Sequence, residues 1–352
     1  MDNLARKEDV DQRIRQTMAD IARIGDPKRM MELADSLVYS MPPERGVEMA
    51  GLMSYANPFY LPEMPDEAAE RIAIHIGTLA EYVMRAKLTA NRAGKRNILL
   101  ACAPKSASTF IQGALRAALD LPTASLFTAT TDPMSGSALG ANLREQEPDE
   151  LALLRAGLNG RGYVTQHHAR CSPYLARLVE IYRIRPIVTY RNIFDTLVSM
   201  DDMVVEWRKG LPVTVSNFFN DAMPQNYHLR DREARLMMLA RRWAPWLTQF
   251  YVSWRKSEAL GFVKPLWISY DADFLGDKSA LAARIVDYVG ASGDAALRLT
   301  AAFEDRSDAS AKRLNKGVAG RGRDIPDAVR AHVMAVASAY ADDVDLAPLV
   351  GG

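Results

Sequence analysis

Residues 103–110 read Ala-Pro-Lys-Ser-Ala-Ser-Thr-Phe, a turn crowded with one lysine and three hydroxyl side chains. It follows the apolar run Ile98-Leu99-Leu100-Ala101-Cys102 and leads into the helical spacing Ile111, Leu115, Leu119. A buried strand that turns through small and hydroxyl residues into a helix offers backbone N–H groups and the positive end of a helix dipole to an anion. Lys105 adds a charge where a phosphate-like group would collect. The pattern G-x-x-x-x-G-K-[ST], in which lysine comes last before the hydroxyl, occurs nowhere in the chain. A polar turn can also do no more than cap a helix, so the octet acquires meaning only from what accompanies it.

Two further constellations suit the same chemistry. The β-branched segment Ile187-Val188-Thr189-Tyr190 runs into Arg191-Asn192-Ile193-Phe194-Asp195 and on to Ser199, which sets a guanidinium at the carboxyl end of a buried strand. Near the end of the sequence, residues 312–323 form a basic run, Lys-Arg-Leu-Asn-Lys-Gly-Val-Ala-Gly-Arg-Gly-Arg, whose glycines permit close backbone approach to a ligand.

Taken together, Lys105-Ser106-x-Ser108-Thr109-Phe110, Tyr190-Arg191-Asn192-x-x-Asp195 with Ser199, and Lys316-Gly317-x-x-Gly320 resemble the three signatures of the sulfotransferases. These enzymes use 3′-phosphoadenosine 5′-phosphosulfate (PAPS) as donor, and the resemblance covers roughly residues 95 to 350. It implies that Lys105 contacts the bridging oxygen of the donor. Ser106, Ala107, Ser108 and Thr109 would hold the 5′-phosphate, Phe110 would stack on adenine, and Arg191 and Ser199 would bind the 3′-phosphate with the Asn315-Lys316-Gly317 segment. The chain departs from the family pattern at three places: Ala107 stands for a glycine, Ile193 for a common proline and Asn315 for an arginine. The last removes a phosphate contact, for which Arg313, Arg321 and Arg323 are the available substitutes.

Sulfuryl transfer needs an in-line nucleophile, a positioned donor and a base. Gly162–Gln166 reads as a strand and ends in His167-His168, where the family places its catalytic histidine. Adjacent residues on a strand point to opposite faces, so one of the two can face the donor. His168 is favoured, because its separation from Arg191 is closer to the family spacing, and His167 is second. No metal is expected: neighbouring histidines lack ligand spacing, and Cys102 and Cys171 form no C-x-x-C pair.

The elements that must hold these residues follow from the hydrophobic pattern. Strands are expected at Asn97–Cys102, Gly162–Gln166, Pro186–Tyr190 and Pro265–Tyr270, alternating with helices, which predicts an α/β domain over residues 94–352 with a P-loop-like, mainly parallel sheet. Ligands of such sheets sit beyond the carboxyl ends of the strands, where Lys105, His168 and Arg191 would meet. The stripe Leu236, Leu239, Trp243, Leu247, Phe250, Trp254 reads as a core helix, kinked or broken at Pro245. Residues 128–148 and 209–228 read as loops on the acceptor side, the second carrying Phe218, Phe219 and Tyr227. Residues 1–93 read as a helical extension, with Val10, Ile14, Met18, Ile21 and Ile72, Ile76, Leu79, Val83 at helical spacing. Packing, an acceptor cap or dimerisation are its candidate roles.

The 44 basic and 43 acidic side chains nearly cancel, so no global field draws the chain to nucleic acid or membrane. Two cysteines, no apolar leader and no membrane-length apolar run suit a soluble protein of the reducing cytoplasm. The expected activity is transfer from PAPS to a hydroxyl or amine of a small-molecule, carbohydrate or lipid acceptor. Two competing readings are a kinase-like phosphotransferase, disfavoured by the missing glycine-lysine loop, and a non-catalytic nucleotide-binding scaffold, disfavoured by the coincidence of Lys105 with a histidine at the base position.

Overall fold

The computed structural model describes residues 27–41, 76–92, 94–126, 148–157, 162–210, 223–224, 226–305 and 318–351, with isolated positions before residue 51. In chain order the helices and strands are α1 (Pro27–Tyr39), α2 (Ile76–Arg92), β1 (Arg96–Cys102), α3 (Ser108–Leu119), α4 (Glu150–Gly157), β2 (Gly162–His167), α5 (Pro173–Ile181), β3 (Ile184–Tyr190), α6 (Ile193–Gly210), α7 (Arg232–Ala259), β4 (Leu266–Ser269), α8 (Lys278–Tyr288), α9 (Ala295–Glu304), α10 (Asp327–Ser338) and the short α11 (Ala347–Val350). The chain divides into two compact units, residues 1–86 with 125–155, and residues 87–124 with 156–352. In the first, α1 buries Ala34, Leu37 and Val38 together with Ala50. Its 3.6-residue periodicity is that of a one-sided helix.

The second unit is built on a four-stranded sheet of order β2-β1-β3-β4, parallel throughout. Each expected strand is present, with ends shifted by at most two residues. The central β1 buries every residue from Asn97 to Cys102, as a parallel strand covered on both faces must. Ile98 and Leu100 face a core shared with Phe110, Ile111 and Leu115 of α3, Ile285 of α8, and Leu299 and Phe303 of α9. Burying one such side chain is worth about 1.5–3 kcal/mol, so this face alone commits α3 to the sheet.

Helix α7 begins at Asp231, whose carboxylate accepts the Ala234 N–H at 2.8 Å, and runs unbroken to Ala259. The break expected at Pro245 does not occur. Proline removes one N–H from the ladder, but the flanking Trp243, Ala244 and Leu247 are buried, and the carbonyl left without its usual donor belongs to Arg241, an exposed position where water can serve it. All six residues of the predicted apolar stripe are buried.

One expectation about the loops is settled by placement. Tyr227 is fully buried and donates to Asp201 at 2.8 Å, so it is a structural side chain and not part of an acceptor wall. Phe218, Phe219, most of residues 128–148 and the Val10–Ile21 helix lie outside the described residues.

Candidate active site

The turn after β1 has the backbone of an anion cradle. Lys105 and Ala107 both take left-handed conformations, with φ of 64° and 62°. A left-handed non-glycine residue costs about 1–2 kcal/mol, and alternating left- and right-handed residues turn successive N–H groups to one side. Helix α3 opens at Ala107 with no side chain capping it. The hydroxyls do not take that role. Ser106 is buried and bonds Ala103 O at 2.6 Å and Thr189 Oγ1 at 2.7 Å, which fastens the turn to β3; Ser108 accepts from Gln166 Nε2 at 2.9 Å, which fastens it to β2. Thr109 is half-buried on the first turn of α3.

His168 stands just past β2. Its Nδ1 lies 2.8 Å from the Cys102 carbonyl, and because a carbonyl can only accept, the proton sits on Nδ1 and Nε2 presents its lone pair. Helix α7 fixes the segment that follows: Trp254 Nε1 donates to Ala169 O at 3.0 Å and Ser253 Oγ accepts from Cys171 N–H at 3.0 Å. Burial lowers the His168 pKa below its ordinary value, the nearby Lys105 charge lowers it further, and the Cys102 carbonyl opposes both. His167 turns the other way and bonds Thr165 Oγ1 at 2.7 Å through Nε2, and burial, then His168, pushes its pKa well down. The neighbouring Cys102 thiol is fully buried and pushed up to about 12 by that burial, which makes it inert.

Arg191 and Asp195 form the third part. Both are nearly fully buried, and Asn192 caps α6 between them by accepting the Phe194 N–H at 2.9 Å. The Arg191 guanidinium donates to Lys105 O at 3.3 Å and Val318 O at 2.9 Å, lies 3.5 Å from Asp195 Oδ2, and stacks over the Tyr270 ring at 4.1 Å. Asp195 in turn accepts the N–H groups of Gly320 and Gly322, each at 2.7 Å. The turn at Lys105, the start of α6 and the glycine segment are thus cross-tied through one ion pair. Arg191 Nε, buried in the middle, has no hydrogen-bond partner. Arg321 is paired with Asp202 and is therefore no ready substitute for the arginine missing at position 315.

The structure brings together Lys105, Ala107, Arg191 and, through Cys102, His168. Ser199 is buried two turns into α6. Phe110 departs from the stacking role: it is 3 % exposed, lies parallel to Phe303 at 6.1 Å and meets Phe274 edge-on at 5.5 Å, so its ring belongs to the core. Asn315, Lys316 and Gly317 lie outside the described residues. Asp195 was visible in the motif without a role. Its place in the first turn of a helix, four residues after an arginine, is the signal that marks a buried ion pair.

Among the described residues no group of three or more His, Cys, Asp or Glu side chains converges as metal ligands would, and no helix is long and apolar enough to cross a membrane. No protein-family model matches the chain, and no curated protein matches it.

Proposed function

We propose that this protein is a PAPS-dependent sulfotransferase whose α/β unit has a P-loop-like donor site at the carboxyl ends of β1, β2 and β3. The observation that carries the reading is the uncapped opening of α3 behind two left-handed residues, one of them Lys105, with His168 held by the Cys102 carbonyl at the end of the strand that leads into that turn. Backbone N–H groups of residues 105–109 receive the 5′-phosphate, and Arg191, through its unpartnered Nε, receives the 3′-phosphate. His168 Nε2 takes the proton of the acceptor hydroxyl or amine as that atom bonds to sulfur. The bond from sulfur to the bridging oxygen breaks, and the Lys105 ammonium stabilises the charge left on the departing phosphate. A small molecule, carbohydrate or lipid serves as acceptor.

The test is a thermal-shift comparison of adenosine 3′,5′-bisphosphate, AMP and ATP, with and without magnesium. The bisphosphate should raise the melting temperature most, and without metal, because at equal concentration a ligand that binds only the folded form stabilises it more the tighter it binds. Equal responses to the bisphosphate and AMP overturn the donor assignment.

A further inference from the structure

The opposite edge of the same sheet carries a second feature. An open cleft of about 760 Å³ lies at the amino ends of β1, β3 and β4, and Lys95, Arg96, Arg183, Arg185 and Lys264 line it, against Glu180. Because the strands are parallel, this edge is the far side of the sheet from Lys105, His168 and Arg191.

Cations collect at such an edge for an ordinary reason: α5, α7 and α8 all end there, and each helix carboxyl end carries about half a negative charge. That accounts for part of the charge only. Helix ends of this strength neutralise one or two cations, and Glu180 is engaged by Arg177 outside the cleft, so a surplus of positive charge remains. Two guanidiniums are held in advance. Arg96 donates through Nη2 and Nε to Gly290 O at 3.0 and 3.3 Å, and Arg185 donates through Nη1 to Tyr288 O at 3.3 Å. The turn needs glycine at 290 for its φ of +61°, and the missing Cβ leaves the Arg185 guanidinium room there, since a Cβ would lie 2.8 Å from Nη1. A guanidinium has five donors, so these contacts leave each arginine further N–H groups to present. At the mouth, Arg183 is exposed and held in a left-handed conformation with φ of 46°.

We infer that this cleft is a binding site for a small multiply charged oxyanion, a phosphate or sulfate ester, independent of the donor site. The inference does not rest on the sulfotransferase reading.

The test is calorimetric titration of the full chain with inorganic tripolyphosphate and, separately, with naphthalene disulfonate, each repeated with saturating adenosine 3′,5′-bisphosphate. Binding that persists with the nucleotide present, weakens as salt rises, and falls about tenfold or more in an Arg183→Ala, Lys264→Ala double variant supports the site. Both replaced side chains are exposed, so the fold is spared. A stronger response to tripolyphosphate assigns the cleft to phosphorylated molecules, a stronger response to the disulfonate to sulfated ones. The inference is overturned if neither anion binds, if the double variant binds as before, or if the nucleotide displaces the anion while the double variant has no effect.

Discussion

At the carboxyl ends of the strands the polar groups are mostly buried and answer one another, whereas at the amino ends they are half-buried or exposed and mostly alike in sign. Arg191 is 4 % exposed and spends its donors on two carbonyls and a carboxylate from three parts of the chain. Arg183 sits in solvent at the end of a helix. Both edges are basic and both tie arginines to distant backbone carbonyls, but only the first ties its arginine to a buried carboxylate as well, which fixes a charge more firmly than carbonyl contacts alone.

The largest effects should come from the first edge. Lys105→Ala and His168→Asn should each lower turnover by about 10²–10⁴-fold while the bisphosphate still binds, since each group acts most when charge or a proton is moving. Sulfuryl transfer to a phenolic test acceptor, read beside nucleotide binding, separates the two quantities. If His167→Asn is damaging and His168→Asn mild, the base is the other histidine.

The two arginines set the contrast in stability. Arg191→Ala leaves Asp195 buried without its cation and should cost about 3–5 kcal/mol, whereas Arg183→Ala should stay within about 0.5 kcal/mol of the parent. Urea denaturation of both variants reads this directly, and similar losses would erase the distinction between the edges. In Arg191→Ala the preference for adenosine 3′,5′-bisphosphate over AMP should also vanish.

A pH series tests the setting of the histidines. His168 must be neutral to accept a proton, and burial followed by the Lys105 charge holds its pKa below about 6.5, so kcat/KM should fall only under acidification past that value. An acid limb centred above 6.5 contradicts the arrangement. The same depression, in His167 as in His168, makes the unfolded chain the better proton acceptor. Their contribution to stability is therefore complete above about 6.5 and is lost as pH falls from there towards the folded-state pKa.

The smallest effect isolates the turn. Ala107→Gly should stabilise the protein by about 1 kcal/mol, because glycine adopts the left-handed conformation without the Cβ clash that alanine carries. A melting temperature that drops instead would mean that the turn does not hold this shape in solution.

What the sequence made legible was the sheet, because strands buried on both faces are written as continuous apolar runs, and the ends of β1 through β4 fall within two residues of expectation. Lys105 and Arg191 were legible because they follow such runs. Phe110 was misread because a motif position was given more weight than helix phase. With Ile111, Ala114, Leu115 and Ala118 it completes a buried stripe spaced by three and four, which points it at the core. The glycine contacts of Asp195 were out of reach in another way, since Gly320 and Gly322 lie more than a hundred residues along the chain and no local pattern announces them. At Pro245, where a kink or a break was expected, packing on both flanks prevented the break.

Gly322 fits against the start of α6 so closely that a Cβ there would lie 2.4 Å from Phe194 Cβ, and its N–H reaches Asp195 across 127 residues of sequence. That separation gives the candidate site a timetable. At translation speeds of 5–20 residues per second, roughly 6 to 25 s pass between the synthesis of Asp195 and that of its partner. For that interval Asp195 lacks the two N–H groups it accepts from the glycine segment, and the site cannot be complete before Gly322 has been made.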